Sequence, residues 1–221
     1  MSFTNATTTL RGLYAVTPDD EDSARLASRV QAALEGGTRV VQYRNKTADL
    51  ALRRYQASAL LALCHAHGAA LIVNDDVALA LEIDAHGVHL GGEDGSIAAA
   101  RARLGPHKLL GASCYRSLVN AARAIAEGAD HIAFGSFFVS TVKPGAVRST
   151  PAILTEAKRK FGVPVVAIGG ITHENAPLLI DAGADSVAVI TALFGAPDIA
   201  RAAREFNLLF EARHETKPKT V

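Results

Sequence analysis

One short stretch of the chain, VVQYRNK (residues 40–46), carries a polar or cationic side chain at every second position. Alternate residues of a β-strand point to the same side, so a strand over 39–45 would align Gln42, Arg44 and Lys46. Arginine grips phosphate oxygens through two parallel hydrogen bonds, while lysine acts as a point charge. The spacing therefore predicts a strand end that binds an anionic group, although two cations in this position could also be plain solvated charge.

Two aspartates further along the chain indicate how such an anion could be held. Asp75 and Asp94 each follow a short apolar stretch. Mg²⁺ takes oxygen ligands, commonly one or two carboxylates together with substrate phosphates and water. With Lys143 as a further cation, the set fits a diphosphate bound with Mg²⁺. We expect Asp76 to cap the following helix and Asp75 to serve the site, although the two could exchange roles, and Asp94 could itself be a helix cap.

A third set combines glycines with a small hydroxyl in the last third of the chain. It comprises Gly169, Gly170 and Thr191. Backbone N–H groups at glycine-rich turns and helix starts are common anion sites, although two glycines could also form only a tight turn. Together the three sets predict two anionic substrates, a metal-bound diphosphate and a monophosphate.

The elements that position these residues repeat along the chain as an apolar strand followed by a helix. Strands are predicted over 12–18, 39–45, 70–75, 87–92, 108–114, 131–137, 164–170 and 186–194. Helices are predicted after the strands, and the last of them covers 198–211. This alternation predicts an α/β fold, a single-domain (β/α)8 TIM barrel over residues 1–211, rather than an open doubly wound sheet. Residues 212–221 are expected to be a polar, disordered tail.

In a barrel of this kind the chemistry lies at the C-terminal ends of the strands. All three sets of residues lie at or just after the C-terminal ends of predicted strands, so they should converge on one mouth. His89 alternates with apolar residues, and we expect it to be a packed histidine of that mouth rather than a metal ligand.

Composition argues against several other classes of protein. The 221 residues are 49% hydrophobic and 20% charged, with a net charge of +1, which gives no reason to expect a nucleic-acid or acidic-membrane partner. Two cysteines predict no disulfide framework. The first twelve residues lack the basic start and apolar run of a signal peptide, so none is expected. No apolar stretch reaches the roughly 18 residues that a membrane helix needs. We expect a cytoplasmic protein that acts on small molecules; its oligomeric state does not follow from the sequence.

Six short motifs occur in order along the chain. They are Gln42-x-Arg44-x-Lys46, Asn74-Asp75-Asp76, HLGGED (89–94), GASCY (111–115), the loop around Lys143, and IGGIT (168–172). In this order and spacing they resemble the thiamine-phosphate synthase family, from about Leu13 to Phe194. Each motif alone is weak, whereas the ordered set is specific. The resemblance implies the same (β/α)8 barrel that the alternation of elements predicts.

The resemblance also implies an activity and a set of site residues. The family is a group of transferases that join 4-amino-2-methyl-5-hydroxymethylpyrimidine diphosphate to hydroxyethylthiazole phosphate, or to its carboxylated form, and release pyrophosphate. By similarity, the pyrimidine diphosphate would contact Gln42, Arg44, Lys46, Asn74, Ser113 and Lys143. The thiazole phosphate would contact Ser140, Gly170, Ile190 and Thr191. The catalytic group would be Arg44, Lys46, Ser113 and Lys143. Asp75 and Asp94 would bind Mg²⁺, the expected cofactor.

The chain departs from the family pattern at a few positions near the expected site. Val142 stands where a second threonine is common, Tyr115 where histidine is frequent, and Gly92 where glutamine is common. None of these departures removes an expected metal ligand. Two other functions stay open at this point, a thiazole-phosphate tautomerase-like isomerase and a non-catalytic barrel that binds a phosphate ligand. Neither of these functions requires the carboxylate pair Asp75 and Asp94.

Overall fold

Eight parallel strands close into a barrel around the centre of the molecule. The computed structural model describes residues 10–92, 94–139 and 147–215, with side chains through residue 212. The strands pair in sequence order, and the last also pairs with the first. They are β1 (Gly12–Val16), β2 (Val40–Tyr43), β3 (Ala70–Asn74), β4 (Gly87–Leu90), β5 (Leu109–Tyr115), β6 (His131–Gly135), β7 (Val165–Ile168) and β8 (Ser186–Val189). The predicted (β/α)8 TIM barrel is confirmed.

Helices follow the strands and cover the outside of the barrel. They are α1 (Ser23–Glu35), α2 (Leu50–Ala66), α3 (Val77–Glu82), α4 (Ile97–Leu104), α5 (Leu118–Ala126), α6 (Ala152–Lys160), α7 (Ala176–Asp181), α8 (Thr191–Phe194) and α9 (Ile199–Glu215). Helices α1 to α5 begin after a residue whose side chain accepts a backbone N–H of the first turn. These N-caps are Asp22, Asp49, Asp76, Ser96 and Ser117. Each such cap contributes about 1 kcal/mol. Within the described ranges, no helix has the length and apolar character needed to cross a bilayer.

The alternation of strand residues divides the apolar core into two layers. One layer fills the barrel and comprises Leu10, Tyr14, Val16, Val40, Ala70, Ile72, Leu109, Ala133, Val166 and Ala188. The other lies between the sheet and the helices, where Val41 of β2 and Leu60 of α2 belong to the same cluster. Towards the C-terminal strand ends the interior positions become polar, because this is where the packed core gives way to the mouth.

The polar interior positions lie side by side across neighbouring strands. The parallel register pairs Asn74 of β3 with His89 of β4, and His89 with Gly111 of β5. Gly111 is in turn paired with His131 of β6. The fold therefore brings two histidines together at one level inside the barrel, with a glycine between them.

The boundaries of all eight strands differ from the sequence-based ones by at least one residue, and some of these differences change the element that holds a residue. β2 ends at Tyr43 rather than at residue 45, so Arg44 and Lys46 lie in the loop after the strand. The predicted strand over 186–194 is also too long, because β8 ends at Val189 and residues 191–194 form α8. A short apolar run fits strand and helix equally well by periodicity. Helix α9 extends to Glu215, past the boundary predicted at residue 211, and residues 216–221 lie outside the described residues.

Candidate active site

A pocket of about 510 Å³ opens at the C-terminal ends of β2 and β3. Its lining includes Lys46, Asn74, Asp75 and Asp94, together with apolar residues of α3. Lys46, Asp75 and Asp94 are called the acid–base rim below. The pocket thus collects expected site residues from the loops after three successive strands, as the sequence predicts.

Asp75 is held in an unusual backbone conformation at the start of the loop after β3. Its φ angle is 63°, in the left-handed region that non-glycine residues seldom adopt. Its N–H donates to the carbonyl oxygen of His89 at 2.9 Å, which fixes the turn. The next residue, Asp76, caps α3 by accepting the N–H of Leu79 at 2.9 Å. The predicted division of roles is therefore confirmed for Asp76, while Asp75 turns towards the pocket; strained backbone of this kind is common at functional sites.

The Asp75 carboxylate lies among groups of both charges. Burial raises the pKa of this carboxylate. Asp94 raises it further, through a hydrogen bond and through its negative charge, whereas the positive charge of Lys46 lowers it. The Lys46 Nζ atom lies 3.4 Å from Asp75 Oδ2, and the Asn74 amide donates to the same oxygen at 2.6 Å. Two carboxylates so close together repel each other, and a cation between them would relieve that repulsion.

Asp94 is placed by its own loop. Its Oδ2 atom accepts the N–H of Gly91 at 3.0 Å. The N-cap of α4 is Ser96, whose side chain accepts the N–H of Ala99. Asp94 therefore does not cap the helix, and its carboxylate is available to the pocket. Within the described parts of the chain, no group of three or more His, Cys, Asp or Glu side chains is placed to hold a metal ion.

A residue that the sequence argument missed, Asp19, positions the two cations. Its carboxylate accepts hydrogen bonds from Arg44 Nη1 at 3.0 and 3.2 Å and from the Lys46 backbone N–H at 2.7 Å. The Thr17 hydroxyl also accepts the Arg44 N–H and donates to the Arg44 carbonyl oxygen, both at 2.8 Å. The side chain of Arg44 is only 13% exposed. The one signal for Asp19 in the sequence was its position after β1, because residues that follow any strand of such a barrel can contribute to the mouth.

A buried polar network supports this loop from below. The Asn45 amide donates to the Asp20 carbonyl oxygen at 2.8 Å and to Gln56 Oε1 at 3.0 Å. Its own oxygen accepts the Ala48 N–H at 3.2 Å. The Tyr43 hydroxyl donates to Gln56 Oε1 at 2.9 Å. Such satisfied networks rigidify their surroundings, so Arg44 and Lys46 stand on a fixed base.

The interior side of the mouth carries the remaining polar residues of β2, β4 and β5. Gln42 is buried and donates to the Tyr14 hydroxyl at 3.0 Å, so it lies deeper than Arg44 and Lys46 rather than in line with them. His89 is 8% exposed, and burial lowers its pKa to about 4. Its Nε2 atom lies 2.9 Å from Ser113 Oγ. The interpretation of His89 as a packed histidine is confirmed.

The glycines after β7 make room for the loop after β6. Gly169 and Gly170 have φ angles of 107° and 64°. A Cβ atom on Gly169 would lie 2.0 Å from Ser136 Oγ, and one on Gly170 would lie 2.2 Å from the Val139 carbonyl oxygen. Both conformation and space therefore require glycine at these positions.

The other expected residues of the phosphate end lie after the neighbouring strand. Ile190 precedes α8 and Thr191 is the first residue of that helix. They therefore lie at the mouth beside Gly170, because β7 and β8 are paired. Ser140 and Lys143 fall in residues 140–146, which lie outside the described residues.

Comparison with known proteins matches this chain to one family along the whole barrel. A family model described as thiamine monophosphate synthase matches residues 13–193. Thiamine-phosphate synthase from Thiobacillus denitrificans is 56% identical over 204 residues, 92% of this chain and 97% of that protein. The protein of the same name from Methylobacillus flagellatus is 53% identical over 201 residues, 91% of this chain and 96% of that one. A solved structure, thiamine phosphate pyrophosphorylase from Pyrococcus furiosus, has a TM-score of 0.83 at 35% identity, covering 92% and 97% of the two chains. These matches include every strand that contributes to the mouth.

Proposed function

Because the chain belongs to the thiamine monophosphate synthase family, we propose that it joins 4-amino-2-methyl-5-hydroxymethylpyrimidine diphosphate to hydroxyethylthiazole phosphate, or its carboxylated form, and releases pyrophosphate. Family membership confirms the resemblance seen in the sequence motifs. The observation that supports the reaction best is the acid–base rim, where Lys46 and two carboxylates meet at one pocket. A barrel that isomerises or only binds a monophosphate has no use for two adjacent carboxylates.

The rim suits Mg²⁺ as the cofactor. Asp75 and Asp94 would hold it, since their carboxylates are hard oxygen ligands whose repulsion a divalent cation relieves. Two protein ligands leave coordination positions for diphosphate oxygens and water, which is the usual arrangement for Mg²⁺. When bound, Mg²⁺ would stabilise the negative charge of the departing diphosphate.

The chain's own cations would act on the same leaving group. In the reaction, the bond between the pyrimidine methylene carbon and the diphosphate oxygen breaks, and its electron pair leaves with pyrophosphate. The thiazole nitrogen then gives its lone pair to the same carbon, so no base is needed to deprotonate the nucleophile. Arg44 and Lys46 would stabilise the leaving group by charge and hydrogen bonds, and Lys143 would act with them. The amino group of the pyrimidine supports cationic character at the methylene, which favours dissociation before attack.

The remaining residues would orient the two reactants. Gln42, Asn74 and Ser113 would contact the pyrimidine diphosphate from the interior side of the mouth. The thiazole phosphate would lie at the ends of β7 and β8 and contact Ser140, Gly170, Ile190 and Thr191. Alignment of two bound reactants converts a bimolecular step into an effectively unimolecular one, which supplies much of the rate. We further propose that the protein works in the cytoplasm on these small molecules, without a nucleic-acid partner.

The test is pyrophosphate release by the purified protein with each substrate alone and with both, in Mg²⁺ and in EDTA. Release should require both substrates and Mg²⁺. Lys46→Ala should lower kcat/KM by about tenfold or more, the size of a lost charge-assisted contact. Lys160→Ala is the matched control, because Lys160 pairs with Glu156 on the surface of α6. Release that does not need the thiazole phosphate would indicate simple hydrolysis and would contradict the proposal.

A further inference from the structure

A second histidine, His131 of β6, lies inside the barrel and has no part in the reaction described above. Its side chain is fully buried, and its Nδ1 atom has no hydrogen-bond partner among the described residues. Its Nε2 atom lies 3.4 Å from His89 Nδ1, a long contact. The centroids of the two rings are 5.5 Å apart. A buried polar atom without a partner is costly, so its retention in a core needs an explanation.

The two histidines form a line that ends at a substrate-facing residue. His89 Nε2 lies 2.9 Å from Ser113 Oγ, and Ser113 is partly exposed at the mouth. The line therefore runs from His131 in the core through His89 to Ser113. Gly111 makes it possible, because a Cβ atom there would lie 2.2 Å from His131 Nε2 and 2.4 Å from His89 Nδ1.

The line can carry its protons in two ways when each ring has one N–H, the form that burial favours. In the first, His131 Nε2–H donates to His89 Nδ1, and His89 Nε2–H donates to Ser113 Oγ. The Ser113 proton is then free to point into the mouth. In the second, every donor and acceptor is exchanged: Ser113 donates to His89, and His89 donates to His131. The Ser113 hydroxyl then donates its proton to His89 and has none to offer to the substrate.

The partnerless Nδ1 atom of His131 distinguishes the two arrangements. In the first arrangement it is a bare nitrogen, which lacks only a donor. In the second it is an N–H group buried without an acceptor. Among buried backbone groups, orphaned N–H donors are rarer than under-satisfied acceptors, and a ring N–H is a donor of the same kind. The first arrangement is therefore favoured.

We propose that His131 is a positioning residue that acts through His89 to make Ser113 a hydrogen-bond donor to the substrate. His131 holds His89 as the Nε2–H tautomer, and His89 occupies an acceptor site on the Ser113 oxygen. The Ser113 hydroxyl then presents its proton to an acceptor atom, which on a pyrimidine is a ring nitrogen rather than the amino group. This inference rests on the proposed function for the identity of the substrate, but the tautomers themselves can be measured without substrate.

The first test is nitrogen NMR of the protein labelled with ¹⁵N-histidine, which reports the protonated nitrogen of each ring. His86 is an internal reference, because its Nδ1 atom accepts the Leu71 N–H at 3.0 Å and its proton must therefore be on Nε2. His89 and His131 should show the same pattern as His86. The spectrum of His131→Phe assigns the signal of His131. A proton on Nδ1 of His89 in the wild-type protein would overturn the inference.

The second test compares two substitutions at one position. His131→Gln places an amide N–H close to where the ring Nε2–H was, whereas His131→Phe keeps a ring but has no donor. His131→Phe should lower kcat/KM for the pyrimidine diphosphate by about fivefold, the effect of one neutral hydrogen bond, with the KM of the thiazole phosphate unchanged. His131→Gln should restore most of the loss, and the difference between the two variants should disappear in a Ser113→Ala background.

The outcomes separate this inference from the proposed function. Equal losses in His131→Phe and His131→Gln would mean that His131 only fills space, and would overturn the positioning role while the activity stands. A difference that persists in the Ser113→Ala background would also overturn it, because the effect would then not pass through Ser113. An inactive wild-type protein with the expected tautomers would instead contradict the proposed function.

Discussion

Two neighbouring aspartates of the same loop should respond to substitution in opposite ways. Asp76 caps α3, whereas Asp75 is a partly buried carboxylate beside Asp94. Asp75→Asn removes a charge that burial and Asp94 disfavour. Asparagine also tolerates the left-handed conformation that this position requires. We therefore expect Asp75→Asn to raise the thermal unfolding midpoint in metal-free buffer at neutral pH, and to lower kcat/KM by about a hundredfold or more if it removes a ligand of the catalytic metal.

Asp76→Ala should show the reverse. Loss of the bond to the Leu79 N–H costs about 1 kcal/mol of folding free energy. In a protein of this size that lowers the unfolding midpoint by about 2–4 °C. The kcat/KM should stay close to that of the wild type, because the Asp76 carboxylate is used inside the helix cap. Asp76→Asn is the matched control, since asparagine caps helices as well as aspartate does.

Thermal unfolding followed by circular dichroism, together with the pyrophosphate-release assay, measures both effects on the same preparations. The reasoning would be refuted if Asp75→Asn lost stability and kept activity. Equal, small effects of Asp75→Asn and Asp76→Ala on kcat/KM would also refute the assignment of Asp75 to the metal. Strain and charge at Asp75 would then have no functional explanation.

Three further predictions follow from the packing of the site. Asp19→Ala should raise the KM of the pyrimidine diphosphate by about tenfold, because the guanidinium and the loop that it holds lose their anchor; a lower KM would mean that Asp19 competes with the substrate. Gly170→Ala should lower the free energy of unfolding in urea by about 2 kcal/mol, because Gly170 has a φ of 64° and the Val139 carbonyl oxygen lies close to it. Gly162→Ala is the control and should not change the stability, because the space around Gly162 is open. Burial lowers the pKa of His89 to about 4 and also lowers the pKa of His131. In the unfolded chain the histidine pKa is about 6.5, so between about pH 4 and 6.5 the unfolded chain binds more protons than the folded protein. The free energy of unfolding should therefore fall as pH falls from 6.5 towards 4 by about 1.4 kcal/mol per unit for each such group, and an unchanged slope in His131→Phe would contradict this.

Much of the barrel could be predicted from sequence because its signals are local. Apolar runs separated by caps and glycines mark the strands and helices, and Asp76 follows the cap pattern that the structure shows. The end of β2 could not be predicted in the same way. Its last residues alternate like a strand, but the hydroxyl of Thr17, in the loop after β1, binds both the N–H and the carbonyl oxygen of Arg44, which is a contact from another part of the chain. The apolar run after Val189 was ambiguous for a different reason, since four residues fit a strand or a helix turn.

The residues of the candidate site also differ in whether they could be found from local sequence. The placement of Asp75, Asp94 and Lys46 at one pocket could be predicted, because their residue types and positions after strands are visible in the sequence. Asp19 offered only its position after β1 as a signal, because its role depends on Arg44 and on the Lys46 amide lying beside it in three dimensions. His131 is similar, since only the strand register and the missing side chain of Gly111 bring it to His89. Contacts of this kind arise from tertiary structure and carry no local pattern.

The most direct test of the central claim is calorimetric titration of pyrophosphate into the protein with and without Mg²⁺. The acid–base rim should bind pyrophosphate only when Mg²⁺ is present, and Asp75→Asn should weaken that binding by about tenfold or more, as expected for a lost metal ligand. Asp76→Asn should bind as the wild type does. Equal affinity in Mg²⁺ and EDTA, or unchanged affinity in Asp75→Asn, would contradict the account of the rim as a metal–diphosphate site.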